Sequence, residues 1–381
     1  MNTEKELDYR CYCRSPYLAV SQMSNKRREH DQDAAGGGDK RPRRRKHLYL
    51  VLDDWDKGFS IHKIDVDSFD SDDQHNNAAQ HLPEPPVLRL QSPVGPVPQT
   101  GMSFSALGTK IFTFMNQHCG LIYDTETAVL AIGAHAPAQM VCGFGITVAV
   151  GEMLYALSYR FSDKQHSFEV MSWDATQHPM EGWSWKMLPP PPPAFHGRVS
   201  SYALHPDGRS IFMTTANKGR MGTYSFDTKD SAWRWHGEWA LPFLGRAHFD
   251  GELNAWVGLH QDGYICACRV ASPSCHGTTA PTLQLDCQTT KERLFGKGLE
   301  RYMRASLAYV GMSRFCLVEC VAREGVEGQA LGDHGGCVIH LTMFGLKYNH
   351  KGELQITDHR STSSFQVSRH KNHFCPVAFW M

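Results

Sequence analysis

A short unit of apolar strand, glycine turn and second apolar strand recurs along the chain, and it constrains the fold more than any other feature. The turn glycines are separated by 43, 57, 43 and 60 residues. Glycine suits this position because a tight hairpin turn needs a positive φ, which other residues adopt only at a cost. The five predicted turn glycines are Gly108, Gly151, Gly208, Gly251 and Gly311.

A second unit follows the first, in which an apolar strand ends on an aromatic residue and an aspartate. It reads LIYDTET, VMSWDAT and TYSFDTK, with the aspartates 50 and 53 residues apart. Aspartate favours a turn because its carboxylate accepts hydrogen bonds from the backbone two residues on. We therefore predict structural turns, rather than catalytic carboxylates, at Asp124, Asp174 and Asp227.

Each repeat ends in a fourth strand, often with tryptophan and proline, as in WSWKMLPPPPP and WRWHGEWALPF. Each repeat thus holds four strands in roughly 45 to 60 residues, which is the length scale of a propeller blade. Residues 104–367 supply five such repeats, while 47–93 offers three strands and the tail CPVAFWM one more. The prediction is an all-β, six-bladed kelch-like β-propeller of four-stranded blades, closed by the C-terminal strand joining the first blade. A β-sandwich with accidental repetition is the alternative.

Composition disfavours several classes of partner. Lys+Arg and Asp+Glu are both 39, so no overall charge favours nucleic acid or membrane. No apolar run reaches the ~18 residues of a membrane span, and the N-terminus has no apolar stretch of a secretory signal. We expect an intracellular, soluble monomer, in the nucleus, the cytoplasm or both, with reduced cysteines.

Residues 1–45 are predicted to be a disordered basic arm in front of a propeller at 46–381. The arm is polar, glycine-rich and charged, so it cannot bury enough apolar surface to offset its ordering entropy. Two basic clusters resemble a bipartite nuclear import signal, which an import receptor would bind. A solvated tail and nonspecific contact with nucleic acid are the alternatives. The cations are Lys26, Arg27, Arg28, Lys40, Arg41, Arg43, Arg44, Arg45 and Lys46.

The sequence contains no G-x-S-x-G motif, no P-loop and no H-E-x-x-H motif. Its cysteines form two C-x-C pairs, Cys11 with Cys13 and Cys266 with Cys268, and no C-x-x-C. Structural zinc sites usually combine two paired sets of ligands. We therefore predict no catalytic, cofactor-binding or metal-binding residues.

Two resemblances follow from these patterns. The succession of glycine hairpin, aromatic-aspartate turn and tryptophan strand is similar to kelch propellers, although the diglycine of kelch strands is missing. Nearly the whole chain from Arg43 to Met381 resembles an uncharacterised plant family. This family is expanded in rice and other grasses and carries a domain of unknown function. That resemblance implies no activity, cofactor or catalytic residue. It rests on RRRKHLYLVLDDW, MVCGFGITVAVGEMLYALSYRF, RVSSYALHPDGRSIF, TMFGLKYNHKGEL and PVAFWM.

The sequence thus predicts a non-catalytic protein-interaction scaffold that binds unidentified protein partners through its loops. Segments that depart from the repeat, 68–85, 159–167 and 322–336, are the expected recognition sites. A small-ligand binder or an enzyme using the central channel is one alternative. The substrate-recognition module of a ubiquitin ligase is another, although residues 1–45 are too short and polar for an F-box.

Overall fold

The fold of the described residues is built from β-strands, as the all-β prediction requires, and they contain no α-helix. No helix that is long and apolar enough to cross a bilayer occurs in them. Residues from Arg45 to Met381 form one compact unit. The computed structural model describes residues 45–67, 80–91, 102–115, 119–134, 144–160, 165–173, 182–195, 197–217, 220–271, 285–296, 302–326, 332, 336–357, 360–371 and 374–381.

Most strands alternate side chains between two apolar faces, which suits β structure covered on both sides. The strands in chain order are β1 Leu48–Trp55, β2 Gly58–Ile64, β3 Leu88–Gln91, β4 Ser103–Leu107, β5 Lys110–Met115, β6 Cys119–Asp124, β7 Leu130–Gly133, β8 Phe144–Val150, β9 Met153–Arg160, β10 Gln165–Trp173, β11 Trp183–Met187, β12 Arg198–Leu204, β13 Ser210–Asn217, β14 Arg220–Asp227, β15 Ala232–Gly237, β16 Leu244–Asp250, β17 Ala255–Leu259, β18 Ile265–Arg269, β19 Cys287–Thr289, β20 Tyr302–Gly311, β21 Arg314–Ala322, β22 Cys337–Tyr348, β23 Leu354–Ile356, β24 Ser361–Val367 and β25 Val377–Trp380.

Four-stranded antiparallel groups recur throughout the described chain. Three sheets have the orders β25-β1-β2-β3, β4-β5-β6-β7 and β11-β10-β9-β8. In the first, the C-terminal strand β25 pairs with β1. An eight-stranded sheet, β15-β14-β13-β12-β16-β17-β18-β19, joins two such groups where β12 and β16 run parallel. The last sheet has the order β20-β21-β22-β23, with β24 also paired to β22.

This last sheet has five strands where the sequence predicted four. Strand β22 is 12 residues long, and its edge opposite β21 takes two partners in succession. Residues 346–348 pair with β23, and residues 337–343 pair with β24. Gly345 lies between the two pairings, where a Cβ atom would come within 2.6 Å of the Thr357 hydroxyl oxygen. Two short strands therefore share the position that one strand occupies elsewhere.

Neighbouring groups pack face to face, and each described core is shared by two of them. In chain order, the group of β1–β3 shares a core with β4–β7, which shares one with β8–β11, which shares one with β12–β15. The β12–β15 group packs on β16–β19, and that group packs on β20–β24. A final core places β21, β22 and β24 against β1 and β25. Both faces of each group are thus covered.

One strand of each group contacts the equivalent strand of the next, and we call this set (β4, β8, β12, β16, β20 and β25) the inner strands. Contacts run from β4 to β8, β12, β16, β20 and β25 in turn. Side chains add direct links. The Nε2–H of His248 donates to the Leu307 carbonyl oxygen at 3.1 Å, and the Ser306 hydroxyl donates to the Pro376 carbonyl oxygen at 2.6 Å.

Candidate functional site

Three consecutive inner strands bring polar side chains to one level. Tyr202 on β12 and Arg246 on β16 are register partners in the parallel pairing. His248, two residues after Arg246, is hydrogen-bonded to the Leu307 carbonyl of β20. Arg304 lies three residues before Leu307 on β20. The side chains of Arg246 and Arg304 therefore extend from neighbouring positions on adjacent inner strands.

Both arginine side chains are exposed, and neither forms a salt bridge or hydrogen bond within the described part of the chain. The Tyr202 hydroxyl lies in electrostatic range of Arg246 and of the Cys375 thiol. The Tyr302 hydroxyl lies in range of Arg304 and of the same thiol. The inner strands thus gather two unpaired cations, two phenols and one thiol.

Burial keeps the phenols and the thiol uncharged. It raises the pKa of Tyr202, against the opposing effect of Arg246. It also raises the pKa of Cys375 to about 11, although Arg304 lowers it. The Cys375 thiol donates to the Ala305 carbonyl oxygen at 3.5 Å. At neutral pH the two guanidinium groups are therefore charged, and the hydroxyl groups in electrostatic range of them are neutral donors.

Glu319 supplies the opposing charge near this cluster, in electrostatic range of Tyr302. Its Oε1 already accepts the Gly296 backbone N–H at 2.7 Å. The carboxylate is therefore held by β21 and the segment before β20. The arrangement can hold an anion, because guanidinium groups bind carboxylate and phosphate oxygens with paired hydrogen bonds.

His248 leads to a prediction about pH. Burial and the charge of Arg246 lower the pKa of His248 to about 3, although the hydrogen bond to the Leu307 carbonyl raises it. An unfolded chain has an ordinary histidine pKa of about 6.5, so acid protonates the unfolded state first. Stability should therefore fall as the pH drops from about 6.5 toward 3, with this residue contributing up to about 1.4 kcal/mol per pH unit.

The expected result is a shallower acid dependence in His248→Gln, measured by urea unfolding followed through tryptophan fluorescence between about pH 7 and pH 4. The exposed His350 gives the matched variant, His350→Gln, which should retain the acid dependence of the parent. Equal slopes for His248→Gln and the parent chain would contradict this role of His248.

A buried ion pair joins β1 to the segment after β24. The side chains of Asp53 and Arg369 are 0% and 1% exposed, and the Arg369 Nε–H donates to Asp53 Oδ1. The backbone N–H groups of the next two residues donate to Asp53 Oδ2 at 3.1 and 2.5 Å. The rest of the guanidinium donates to Cys320 Sγ at 2.9 Å and to the Phe374 carbonyl oxygen at 2.8 Å. These contacts are all internal to the protein, so the pair acts structurally.

The thiol pKa values of the buried cysteines are shifted by burial and by neighbouring groups. Burial raises the pKa of Cys316 to about 12 and, with the charges of Cys287 and Asp286, that of Cys268 to about 12. The hydrogen bond to Cys337 and the charge of Arg369 lower the pKa of the Cys320 thiol, although burial raises it. Across the described residues, no group of three or more His, Cys, Asp or Glu is arranged to hold a metal ion.

Two cations of the predicted import signal, Arg45 and Lys46, belong to the folded unit. The Arg45 guanidinium forms salt bridges with Asp65 at 3.1 Å and with Asp67 at 2.9 Å. Lys46 is exposed. These contacts tie Arg45 to the residues that follow β2. The remaining members of the set lie outside the described residues: Lys26, Arg27, Arg28, Lys40, Arg41, Arg43 and Arg44.

The predicted turn glycines differ in backbone conformation. In the β16–β17 hairpin the positive φ is that of Asn254, at +49°, and not that of Gly251. Asparagine reaches this region more readily than most residues because its short side chain can bond locally. The left-handed turn thus lies three residues later than the sequence predicted. The other four glycines have positive φ: Gly108 +58°, Gly151 +58°, Gly208 +70° and Gly311 +102°.

Asp124 and Asp227 each accept two backbone N–H groups through one oxygen, from two and three residues further on, at 2.9–3.3 Å. Asp174 lies outside the described residues. Sequence reasoning missed Asp250, which follows Phe249 and makes the same turn contacts. Its carboxylate also accepts the Ser313 hydroxyl at 2.8 Å and the Ser313 N–H at 3.0 Å. The aromatic-aspartate pair in HFDGEL was the signal that could have identified it.

Comparison with known proteins places the fold beside distant structures. No protein with a curated description matches the sequence. A Bacteroides uniformis protein provisionally assigned as a 6-phosphogluconolactonase is 12% identical, with a TM-score of 0.45, over 88% of this chain and 99% of that one. Hsv2 of Kluyveromyces lactis is 10% identical, with a TM-score of 0.39, over 83% and 99%. The Cps50 (Swd1) β-propeller domain of Myceliophteria thermophila is 11% identical, with a TM-score of 0.36, over 69% and 74%.

Likenesses as distant as these carry no argument about function. The model of the DUF1668 family, described as a protein of unknown function, matches the sequence over residues 45–365. The matched span begins before β1 and ends within β24, so it includes Tyr202, Arg246, His248 and Arg304. The chain therefore belongs to DUF1668, a family of proteins of unknown function.

Proposed function

We propose that this chain is a non-catalytic protein-interaction scaffold, built as a closed six-bladed β-propeller of the kelch-like kind. The observation that carries the proposal is the succession of shared cores. Every four-stranded group packs on the next, and β20–β24 pack back on β1 and β25. Closing the ring with β25 beside β1 leaves no open seam between the first and last blades.

A ring of this kind supports binding because it holds connecting loops on a rigid frame. The recognition segments that we propose are 68–85, 159–167 and 322–336, and the structure describes only part of each. Their partners would be one or more proteins, bound by a monomer. The neutral formal charge gives no reason to expect specific nucleic-acid binding.

We further propose that the chain comes from a plant and works in the nucleus, the cytoplasm or both. The plant origin is supported by the sequence resemblance, and nuclear import by the two basic clusters of the arm. Arg45 is bound to Asp65 and Asp67, so an import receptor would contact mainly the other cations of the two clusters.

The test is affinity purification of the tagged full-length chain from plant nuclei and cytosol, with mass spectrometry of the co-eluting proteins. We expect a discrete partner that survives high salt and disappears when residues 68–79 are replaced by a glycine-serine linker of equal length. A glycine-serine replacement of residues 175–181, which spares the predicted turn residue Asp174, is the matched control and should leave the partner bound. Recovery of no partner from either fraction, or equal loss with both linkers, would remove the support for a scaffold that binds through these segments.

A further inference from the structure

We infer that the inner strands form a binding site for a small oxyanion that carries phosphate or carboxylate groups. Arg246 and Arg304 are the anion-binding residues, and the hydroxyl groups of Tyr202 and Tyr302 are the neutral donors. This site goes beyond the scaffold function, and it does not depend on any protein partner.

The alternation of side chains along β16 and β20 sets the direction of the two arginine side chains. Ala247 is buried in the core between the β12–β15 and β16–β19 groups. Alternation along β16 therefore directs its two neighbours, Arg246 and His248, to the other side of the strand. His248 reaches the Leu307 carbonyl of β20 on that side. Arg246 thus leaves β16 toward β20, where Arg304 begins.

The Arg304 side chain points from β20 toward β25, the next of the inner strands. Two residues further along β20, Ser306 donates its hydroxyl to the Pro376 carbonyl oxygen beside β25. Alternation places Arg304 and Ser306 on one side of β20. In agreement, Arg304 is in electrostatic range of the Cys375 thiol. The guanidinium groups therefore follow each other from β16 across β20 toward β25.

The two arginine charges are not balanced by carboxylates within the described residues. Within the described residues, neither arginine has an ion-pair partner. Two like charges on adjacent strands repel each other. Glu319 brings one negative charge into range of Tyr302, so it can balance at most one of the two cations. An anionic ligand would remove this repulsion.

The neutral donors define the ligand chemistry. Burial raises the pKa of both Tyr202 and Tyr302, so each phenol keeps its proton and can donate it to an oxygen atom. Guanidinium groups match the planar or tetrahedral oxygens of carboxylate and phosphate. A ligand with two anionic groups could contact both arginines at once. Inorganic pyrophosphate and citrate represent the two chemistries.

The experiment is isothermal titration calorimetry of the full-length chain with inorganic pyrophosphate and, separately, with citrate at constant ionic strength. We expect saturable binding of at least one probe. Arg246→Gln and Arg304→Gln should each weaken it by about tenfold or more, the loss expected for a charged hydrogen bond. The matched control is Arg314→Gln, since Arg314 is also exposed and forms no ion pair in the described part of the chain. This control should bind as the parent does.

The two probes identify the chemistry: preference for pyrophosphate assigns a phosphate-bearing ligand, and preference for citrate a carboxylate-bearing one. The basic arm is present in every variant, so binding that survives in Arg246→Gln/Arg304→Gln belongs to the arm and overturns the site. Absence of saturable binding of either probe to the parent chain also overturns it. Unchanged thermal unfolding midpoints would show that the variants fold, since both arginines are exposed. Partner recovery in pull-downs should be unaffected, which separates this test from that of the scaffold.

Discussion

Replacing Arg369 with methionine should destabilise the folded chain by about 3–5 kcal/mol. Methionine keeps an apolar stem of similar length but removes the guanidinium, so Asp53 would remain as a buried carboxylate without its cation. Its side chain is 0% exposed and cannot regain water in the folded state. Because single domains are stable by only about 5–15 kcal/mol, this loss removes a large share of the free energy of unfolding and should lower the unfolding midpoint strongly.

Two further variants separate the ion pair from a general effect of losing an arginine. Arg360 donates to Glu292 at 2.6 Å, with side chains that are 32% and 51% exposed. Arg360→Met should therefore cost no more than about 1 kcal/mol. Asp53→Asn/Arg369→Met removes both charges but keeps an oxygen for the backbone N–H groups after Arg369, so it should be more stable than Arg369→Met alone.

Urea unfolding followed by tryptophan fluorescence and thermal unfolding of the same samples would measure these differences. The nine tryptophans of the chain make fluorescence a suitable signal. A midpoint for Arg369→Met that is indistinguishable from that of Arg360→Met would show that the buried pair does not hold β1 to the C-terminal segment.

The strand pattern could be predicted from the sequence because its causes are local. Hairpin turns need glycine or asparagine at a left-handed position, and aspartate bonds the backbone within three residues of itself. Apolar alternation over a few residues then reveals the flanking strands. Even here the prediction chose Gly251 where Asn254 carries the positive φ, because glycine is the more frequent solution to the same backbone requirement.

The ion pair and the inner-strand arginines could not be predicted because they depend on contacts between distant segments. Asp53 and Arg369 are 316 residues apart, and each looks like an ordinary polar residue at the end of a strand. Arg246 and Arg304 likewise have the appearance of solvent-facing residues in alternating strands. Only the order in which the inner strands contact one another brings them together.

Strand β25 packs on a different core with each of its two faces, and its backbone pairs with β1. Ala378 and Trp380 pack on the core shared with β20–β24, while Val377, Phe379 and Met381 pack on the core shared with β4–β7. Its backbone pairs with β1 over residues 377–380. His47 and Met381 then exchange two further backbone hydrogen bonds, at 2.8 and 3.1 Å.

Deleting residues 376–381 should therefore prevent stable folding. Each fully buried large apolar side chain contributes about 1.5–3 kcal/mol, so losing five partly buried ones removes a large share of a stability of about 5–15 kcal/mol. The deletion would also expose the edge of β1, whose residues from Leu48 to Leu52 are nearly all fully buried, and an open apolar edge promotes aggregation. Solubility on expression and the thermal unfolding midpoint of any soluble fraction measure the effect.

Removal of residues 1–44 is the matched terminal truncation, and it should leave the midpoint unchanged because Arg45 to Met381 form one compact unit. A soluble C-terminal deletion with the midpoint of the parent would mean that β1 does not need β25, and it would count against the closed ring.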